Sequence, residues 1–79
     1  MNKYLRAIQP SVIDEKGNRL VDVYDVLVAF EVTCPARAHA IKKLLCAGLR
    51  GKGSIKRDLV GAAEAVQRAI ELAGPEEVV

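Results

Sequence analysis

The stretch that decides the fold, at 33–57, reads TCPARAHAIKKLLCAGLRGKGSIKR. Apolar residues recur along it four, three and four positions apart, the period of one helix face: Cys34, Ala38, Ile41 and Leu45. Pro35 is a favoured first residue of a helix, and Gly48 suits the position after a helix, where the backbone is often left-handed. The stretch therefore predicts a helix at 35–47 followed by a glycine loop.

A second helix is predicted after this loop. Ser54 is a good N-cap, and Gly74 followed by Pro75 ends the helical pattern. Between these signals the apolar residues keep the same spacing: Ile55, Leu59, Ala62, Val66, Ala69 and Ala73. We predict a helix at 55–73, a tail at 74–79, and an antiparallel hairpin formed by the helices at 35–47 and 55–73. The small residues in both stripes favour a close approach of the two helices.

The N-terminal residues 1–21 predict an extended arm or a short β-ribbon. Several of them are strand formers, Pro10 limits any ladder to an edge, and a turn cluster lies at 14–18. Asp22 is then a good N-cap, and Asp25 lies in the first turn, where the helix dipole favours an acid. One helical stripe follows: Val23, Val26, Leu27 and Phe30. We predict a short helix at 22–32.

Taken together, these elements predict a mainly α fold in one small domain, 1–79. A chain of 79 residues lies near the lower limit at which a single core suffices. The aromatic side chains are few: Tyr4, Tyr24 and Phe30. Because so small a core gains stability from self-association, we expect a homo-oligomer. No apolar run is long enough to span a membrane, so we expect no membrane partner.

Positive charge is concentrated in one part of the chain. The stretch at 33–57 contains no acid and seven of the twelve basic side chains, whereas the rest carries five basic and all ten acidic ones. Such segregation predicts one basic face that binds anions. The predicted binding residues are Arg37, His39, Lys42, Lys43, Arg50, Gly51, Lys52, Gly53, Ser54, Lys56 and Arg57. The alternative is a solvated helix face that binds nothing.

The loop at 48–54 has the features that phosphate binding needs. Its glycines let a ligand approach the backbone, Ser54 can donate its hydroxyl, and Arg50 and Lys52 can reach an anion. It is not a P-loop, because a helix rather than a strand precedes it. RGKGSIK is similar to the glycine loop of KH domains, which clamps a nucleic-acid backbone, but a helix replaces the strand that follows in those domains. The alternative is a tight interhelical turn with its charges in water.

The sequence predicts neither a metal site nor a catalytic site. Cys34 and Cys46 on one helix would lie about 18 Å apart, too far for a disulfide. One histidine and two distant cysteines cannot supply four zinc ligands. His39 lies two turns from Cys46, with no acid to orient it as a base. We therefore expect a protein without enzymatic activity or cofactor, with reduced thiols, in the cytoplasm.

A longer pattern resembles a protein family. VYDVLVAFEVTCPARAHAIKKLLCAGLRGKG, followed by a helix ending QRAIELA, is similar to small proteins encoded in tailed-phage genomes. The resemblance extends from Asp22 to Ala73 and implies a phage or prophage setting, hence the host cytoplasm. Small oligomeric phage proteins with basic pockets include sponges that sequester the cyclic nucleotide signals of host defence. By that analogy, the chain is expected to bind a nucleotide signal.

Three hypotheses remain open at this point. The first is a homo-oligomeric binder of a small phosphorylated ligand, most simply a nucleotide. The second is a nucleic-acid-binding phage accessory protein, which the small net charge of +2 and the lack of aromatic residues at 33–57 disfavour. The third is an interaction module that docks its helical hairpin on a host protein.

Overall fold

The computed structural model of the chain describes residues 2–9, 12–49 and 54–75. Its contacts divide the chain into two compact units, Met1–Val32 and Thr33–Val79. The described part confirms a mainly helical fold with a short antiparallel two-stranded ribbon near the N-terminus. That 1–79 forms one domain, and that the chain is a homo-oligomer, both stay predictions.

The ribbon of the first unit is very short. Strands β1 (Val12–Ile13) and β2 (Arg19–Leu20) pair antiparallel, with Val12 opposite Leu20 and Ile13 opposite Arg19. The Asp14 carboxylate holds the turn between them by accepting the backbone N–H of Lys16 at 2.9 Å and of Asn18 at 2.8 Å. Hydrogen bonds from the Asn18 backbone and side chain, followed by the Lys16 backbone, lower the pKa of Asp14.

Helix α1 (Val23–Ala29) begins at the predicted cap and ends earlier than predicted. Asp22 Oδ1 accepts the Asp25 N–H, and Asp25 Oδ2 accepts the Asp22 N–H, which together form a capping box. The helix ends at Ala29 rather than at 32, because Glu31 adopts a left-handed backbone with φ of 55°. The Val32 N–H then donates to the Leu27 carbonyl at 2.9 Å, which satisfies the last turn.

The second unit is the predicted helical hairpin, made of α2 (Pro35–Leu45) and α3 (Ile55–Ala73). Helix α3 has the predicted bounds, with Ser54 Oγ accepting the Arg57 N–H at 3.0 Å and Gly74 ending it at φ 76°. Helix α2 begins as predicted but ends at Leu45 rather than at 47. The helix does not continue to 47, because the Gly48 N–H donates to a side chain of α3 instead of to a carbonyl of α2.

The contact between α2 and α3 is formed by small residues. Ala40, Ala62 and Ala65 are its buried apolar side chains among the described residues, and Asp58 is buried beside them. Our predicted stripe on α3 is wrong in part, because Leu59 and Val66 remain 45% and 43% exposed. Close approach of two helices admits alanine at the contact and moves larger side chains to its flanks.

Gly48 and Gly61 show how close this approach is. A Cβ on Gly48 would lie 2.5 Å from Ile55 Cγ1, and its φ of 77° already disfavours other residues. A Cβ on Gly61 would lie 3.1 Å from Lys43 Cδ. The aliphatic part of Lys43 therefore rests on the backbone of α3, which places its ammonium group beside the start of that helix.

Candidate functional site

One buried carboxylate organises the junction of the two helices. Asp58, in the first turn of α3, is only 4% exposed. Its Oδ2 accepts the Gly48 N–H at 2.8 Å, and its Oδ1 lies 3.8 Å from the Lys43 Nζ. Asp58 thus binds the turn after α2 and a side chain of α2 at the same time. A negative charge and two donors hold the end of one helix against the start of the next.

A cavity of about 330 Å³ opens beside this junction. Its described lining residues are His39, Lys42, Lys43, Cys46, Leu49 and Asp58. Three residues of the predicted anion site, His39, Lys42 and Lys43, are therefore brought together. This volume lies at the lower end of the range for small-molecule pockets, roughly 300–1,000 Å³.

Helical spacing explains why these side chains converge. His39, Lys42, Lys43 and Cys46 stand at i, i+3, i+4 and i+7 on α2, so they form one stripe along that helix. Helix α3 contributes Asp58 to the cavity, and Arg57 lies one turn before Gly61, on the side of α3 that Lys43 covers. Arg57 is not among the described residues that line the cavity, so its part in the site stays a prediction.

The charges around the cavity partly cancel. The two lysines are opposed by the Asp58 carboxylate, so these three side chains of the described lining carry one net positive charge. The cavity lies between the end of α2, which favours cations, and the start of α3, which favours anions. Because these two dipole effects oppose each other, side-chain charge decides what is attracted. The net charge of the described lining is therefore positive and small.

The other predicted site residues lie elsewhere or outside the described residues. Arg37 lines a groove on the other side of the α2–α3 contact. Ser54 Oγ serves as the cap of α3, and Lys56 stands 100° around that helix from Arg57. The loop residues Arg50, Gly51, Lys52 and Gly53 lie outside the described residues, so their part in the site stays a prediction.

The groove that Arg37 lines, on the other side of the α2–α3 contact from the cavity, is named the apolar groove. It has a volume of about 350 Å³ and is lined by Arg37, Ile41, Leu44, Val66, Ala69 and Ile70, with two further alanines. Its larger side chains are half exposed, with Leu44 at 53% and Ile70 at 59%. The hairpin therefore presents a basic cavity on one side and an aliphatic surface on the other.

Sequence reasoning missed Asp58, which is the most buried charged residue of the described chain. Its charge places it outside any apolar stripe, although its position three or four residues before Gly61 and Ala62 is a usable signal. The stripe of Asp58, Ala62, Ala65 and Ala69 repeats the four–three–four spacing with small side chains. It matches the close contact better than the stripe of larger residues that we predicted.

Comparison with known proteins finds no match for this chain among protein-family models, curated proteins or solved structures. The resemblance to tailed-phage proteins stays a prediction. Within 2–9, 12–49 and 54–75, no helix has both the length and the apolar character to cross a membrane. The same residues contain no group of three or more histidine, cysteine or acidic side chains suited to a metal ion.

Proposed function

We propose that the chain binds a small phosphorylated ligand, of the nucleotide class, in the cavity beside Asp58. The observation that carries this proposal is the convergence of His39, Lys42 and Lys43 on one cavity of about 330 Å³. Ammonium and imidazole groups are the donors that phosphate oxygens need, and helix α2 holds all three on one stripe.

The arrangement of the cavity supports a compact ligand with a polar and an apolar part. The Lys43 ammonium is held near Asp58 at 3.8 Å, so its position is defined before any ligand arrives. Cys46 and Leu49 supply an apolar wall on which a sugar or base can pack. A cavity of this size can hold one nucleotide unit of a small ligand, including one half of a cyclic dinucleotide.

Binding without turnover is the simplest use of these groups. Asp58 is engaged by the Gly48 N–H and lies close to Lys43, which disfavours it as a free general base. Cys46 and His39 stand seven residues apart on α2, about 10 Å along the helix. A binder that only sequesters its ligand agrees with the sponge role that the resemblance to phage proteins implies, in the host cytoplasm and as a homo-oligomer.

A second candidate function is favoured by the apolar groove. Half-exposed leucine and isoleucine side chains along both helices suit an interaction module that docks on another protein. Nucleic-acid binding, the remaining hypothesis, has less support, because Lys56 and Arg57 diverge on α3 and Arg37 lies beside the apolar groove.

Calorimetric titration of the full chain tests the proposal. The probes are cyclic dinucleotides, ADP-ribose and a duplex DNA, each titrated into the wild type, Lys42→Ala and Lys56→Ala. The two variants lose the same charge, but only Lys42 lines the cavity. We expect a small phosphorylated probe to bind, with about 10- to 100-fold weaker affinity in Lys42→Ala and at most about twofold in Lys56→Ala.

Two outcomes would contradict the proposal. One is equal loss of affinity in both variants, with duplex DNA as the only ligand, since evenly shared losses are typical of a phosphate backbone. The other is the absence of binding to every phosphorylated probe. Native mass spectrometry of the purified chain complements the titration, because a tightly held ligand adds its own mass to the folded protein.

A further inference from the structure

We propose that the cavity beside Asp58 selects phosphate groups with one negative charge, as in phosphodiesters, over phosphate monoesters, which carry about 1.5–2 negative charges at neutral pH. Asp58 is the specificity-determining residue. This inference rests on the proposed function and deepens it, because it names the class of phosphate that the same cavity takes. Cyclic nucleotides belong to that class, whereas 5′-mononucleotides do not.

The first argument is that the cavity holds a carboxylate among its cations. Lys42 and Lys43 line it from α2, and Asp58, which is only 4% exposed, lines it from α3. Asp58 Oδ1 lies 3.8 Å from the Lys43 Nζ. The Lys43 ammonium group is therefore already opposed by a negative charge of the protein before any ligand binds.

The second argument is that packing holds Lys43 beside Asp58. The Lys43 Cδ and Cε lie 3.1 and 3.2 Å from the position that a Cβ on Gly61 would occupy, so the aliphatic part of the side chain rests on α3. The side chain is nevertheless 21% exposed, which leaves its ammonium group accessible to a ligand. A phosphate that binds Lys43 therefore binds it close to Asp58.

The distance between Asp58 and such a phosphate follows from this geometry. A phosphate oxygen that accepts a hydrogen bond of about 2.8 Å from the Lys43 Nζ lies at most about 6.6 Å from Asp58 Oδ1. This distance is shorter than the Debye length of about 8 Å at physiological salt, so salt does not screen the repulsion fully. One unit charge at that distance changes an affinity by roughly 3-fold in water and roughly 70-fold at an effective dielectric constant of about 20. For a cavity that opens to solvent, we expect about tenfold.

A second negative charge on the phosphate therefore gains little in this cavity. The cost of removing an ion from water rises with the square of its charge, so a dianion needs much more compensation than a monoanion. Asp58 cancels part of the attraction that Lys43 offers, and its repulsion doubles when the charge on the phosphate doubles. A phosphodiester carries only the first charge, which the two lysines compensate.

The third argument is that backbone donors beside the cavity are already engaged. Helix N-termini bind phosphates through free N–H groups. At the start of α3, the Arg57 N–H donates to Ser54 Oγ at 3.0 Å, and the Asp58 N–H donates to the Ser54 carbonyl at 3.2 Å. The Gly48 N–H donates to Asp58 itself. These three N–H groups are therefore not available to compensate the second charge of a monoester.

Calorimetric titration of the full chain at about pH 7.5 tests the proposal with adenosine 5′-monophosphate and its phosphate methyl ester. The two probes share base, sugar and phosphate, and the methyl ester, a phosphodiester, has one charge fewer. Asp58→Asn removes the carboxylate charge and keeps an acceptor for the Gly48 N–H, whereas Glu64→Gln removes a charge from an exposed position of α3 outside the described lining. We expect the methyl ester to bind about tenfold more tightly than the monophosphate to the wild type and to Glu64→Gln, and at most about twofold more tightly to Asp58→Asn.

The proposal is overturned if the monophosphate binds the wild type as tightly as the methyl ester does, if the methyl ester does not bind, or if Asp58→Asn keeps the wild-type preference. Equal loss of the preference in Glu64→Gln overturns it as well, because the net charge of the chain would then decide. The proposed function fails separately, and only if cyclic dinucleotides and ADP-ribose do not bind either. Circular dichroism identifies a variant that has unfolded, and Asp58→Ser, which also removes the charge and keeps an acceptor, then replaces Asp58→Asn.

Discussion

Replacing Asp58 by alanine tests the structural basis of the cavity. The side chain is 4% exposed, accepts the Gly48 N–H at 2.8 Å, and lies 3.8 Å from the Lys43 Nζ. Its loss leaves the turn after α2 without this acceptor and the ammonium group without this counter-charge. The junction between the end of α2 and the start of α3 would then lose both of these polar contacts.

The magnitude follows from these contacts. A hydrogen bond to a charged group contributes about 1.5–3 kcal/mol. Removing one partner of a fully buried ion pair costs about 3–5 kcal/mol, but the Lys43 side chain is 21% exposed and can recover water. We therefore expect Asp58→Ala to lower the free energy of unfolding by about 3 kcal/mol. Asp58→Asn keeps an acceptor for the Gly48 N–H and should lose about 1 kcal/mol.

Urea unfolding of the full chain at one protein concentration measures the difference. Glu64→Ala is the matched control, because it removes the same charge from an exposed position of α3 and should change stability by less than about 0.5 kcal/mol. The reasoning is refuted if Asp58→Ala is as stable as Glu64→Ala. It is also refuted if Asp58→Asn is the more damaging of the two Asp58 variants.

Three further predictions concern other parts of the chain. Ala62→Leu should lower the free energy of unfolding by about 1–3 kcal/mol in urea melts, because Ala62 is 1% exposed at the helix contact, whereas Leu59→Ala should cost less. Glu31→Gly should raise the stability of α1 by up to about 1 kcal/mol, measured by amide hydrogen exchange, because Glu31 has a φ of 55° and its ion pair with Arg6 is exposed. Carbon-13 NMR should show that Asp14 titrates below its ordinary pKa, and Asn18→Ala should raise the pKa of Asp14. The stability that this lowered pKa contributes is present above the unfolded pKa, about 3.9, and is lost as pH falls through the folded pKa.

The ends of a helix could be predicted where the capping residue is adjacent to the helix in the sequence. Ser54 and Gly74 are strong cap residues adjacent to the helix they end, and α3 has the bounds that they predict. The end of α1 was missed because a glutamate rather than a glycine occupies the left-handed position. The end of α2 was missed because the Gly48 N–H after this helix donates to Asp58, which stands ten residues further along the chain. Local patterns do not contain a contact of that kind.

The helix contact shows a second limit of periodicity. Apolar spacing located the buried side of α3 to within about 100° around the helix axis. It placed Leu59 and Val66 in the predicted contact but left Ala65 out of it. Hydrophobicity increases with side-chain size, whereas two helices in close contact select for small size. The residues at the centre of the contact are therefore less apolar than those at its edge, as the exposures of Ala65 and Val66 show.

The candidate site could be predicted on one helix only. The stripe of His39, Lys42 and Lys43 follows from spacing along α2, and the structure places these side chains around one cavity. The opposing carboxylate could not be found in the same way, because its proximity to Lys43 depends on how α3 folds back. Asp58 changes the expected site from a uniformly basic face to a cavity with a small positive excess.

Nitrogen-15 NMR titration of the full chain with a cyclic dinucleotide tests the central claim most directly. We expect saturable shifts of the His39 imidazole and of the amides of Cys46 and Leu49, which line the cavity. Amides around Val66 and Ile70, in the apolar groove, should stay unchanged. Shifts confined to the groove, or no saturable shift at His39 with this probe or with ADP-ribose, would contradict a phosphate-binding cavity beside Asp58.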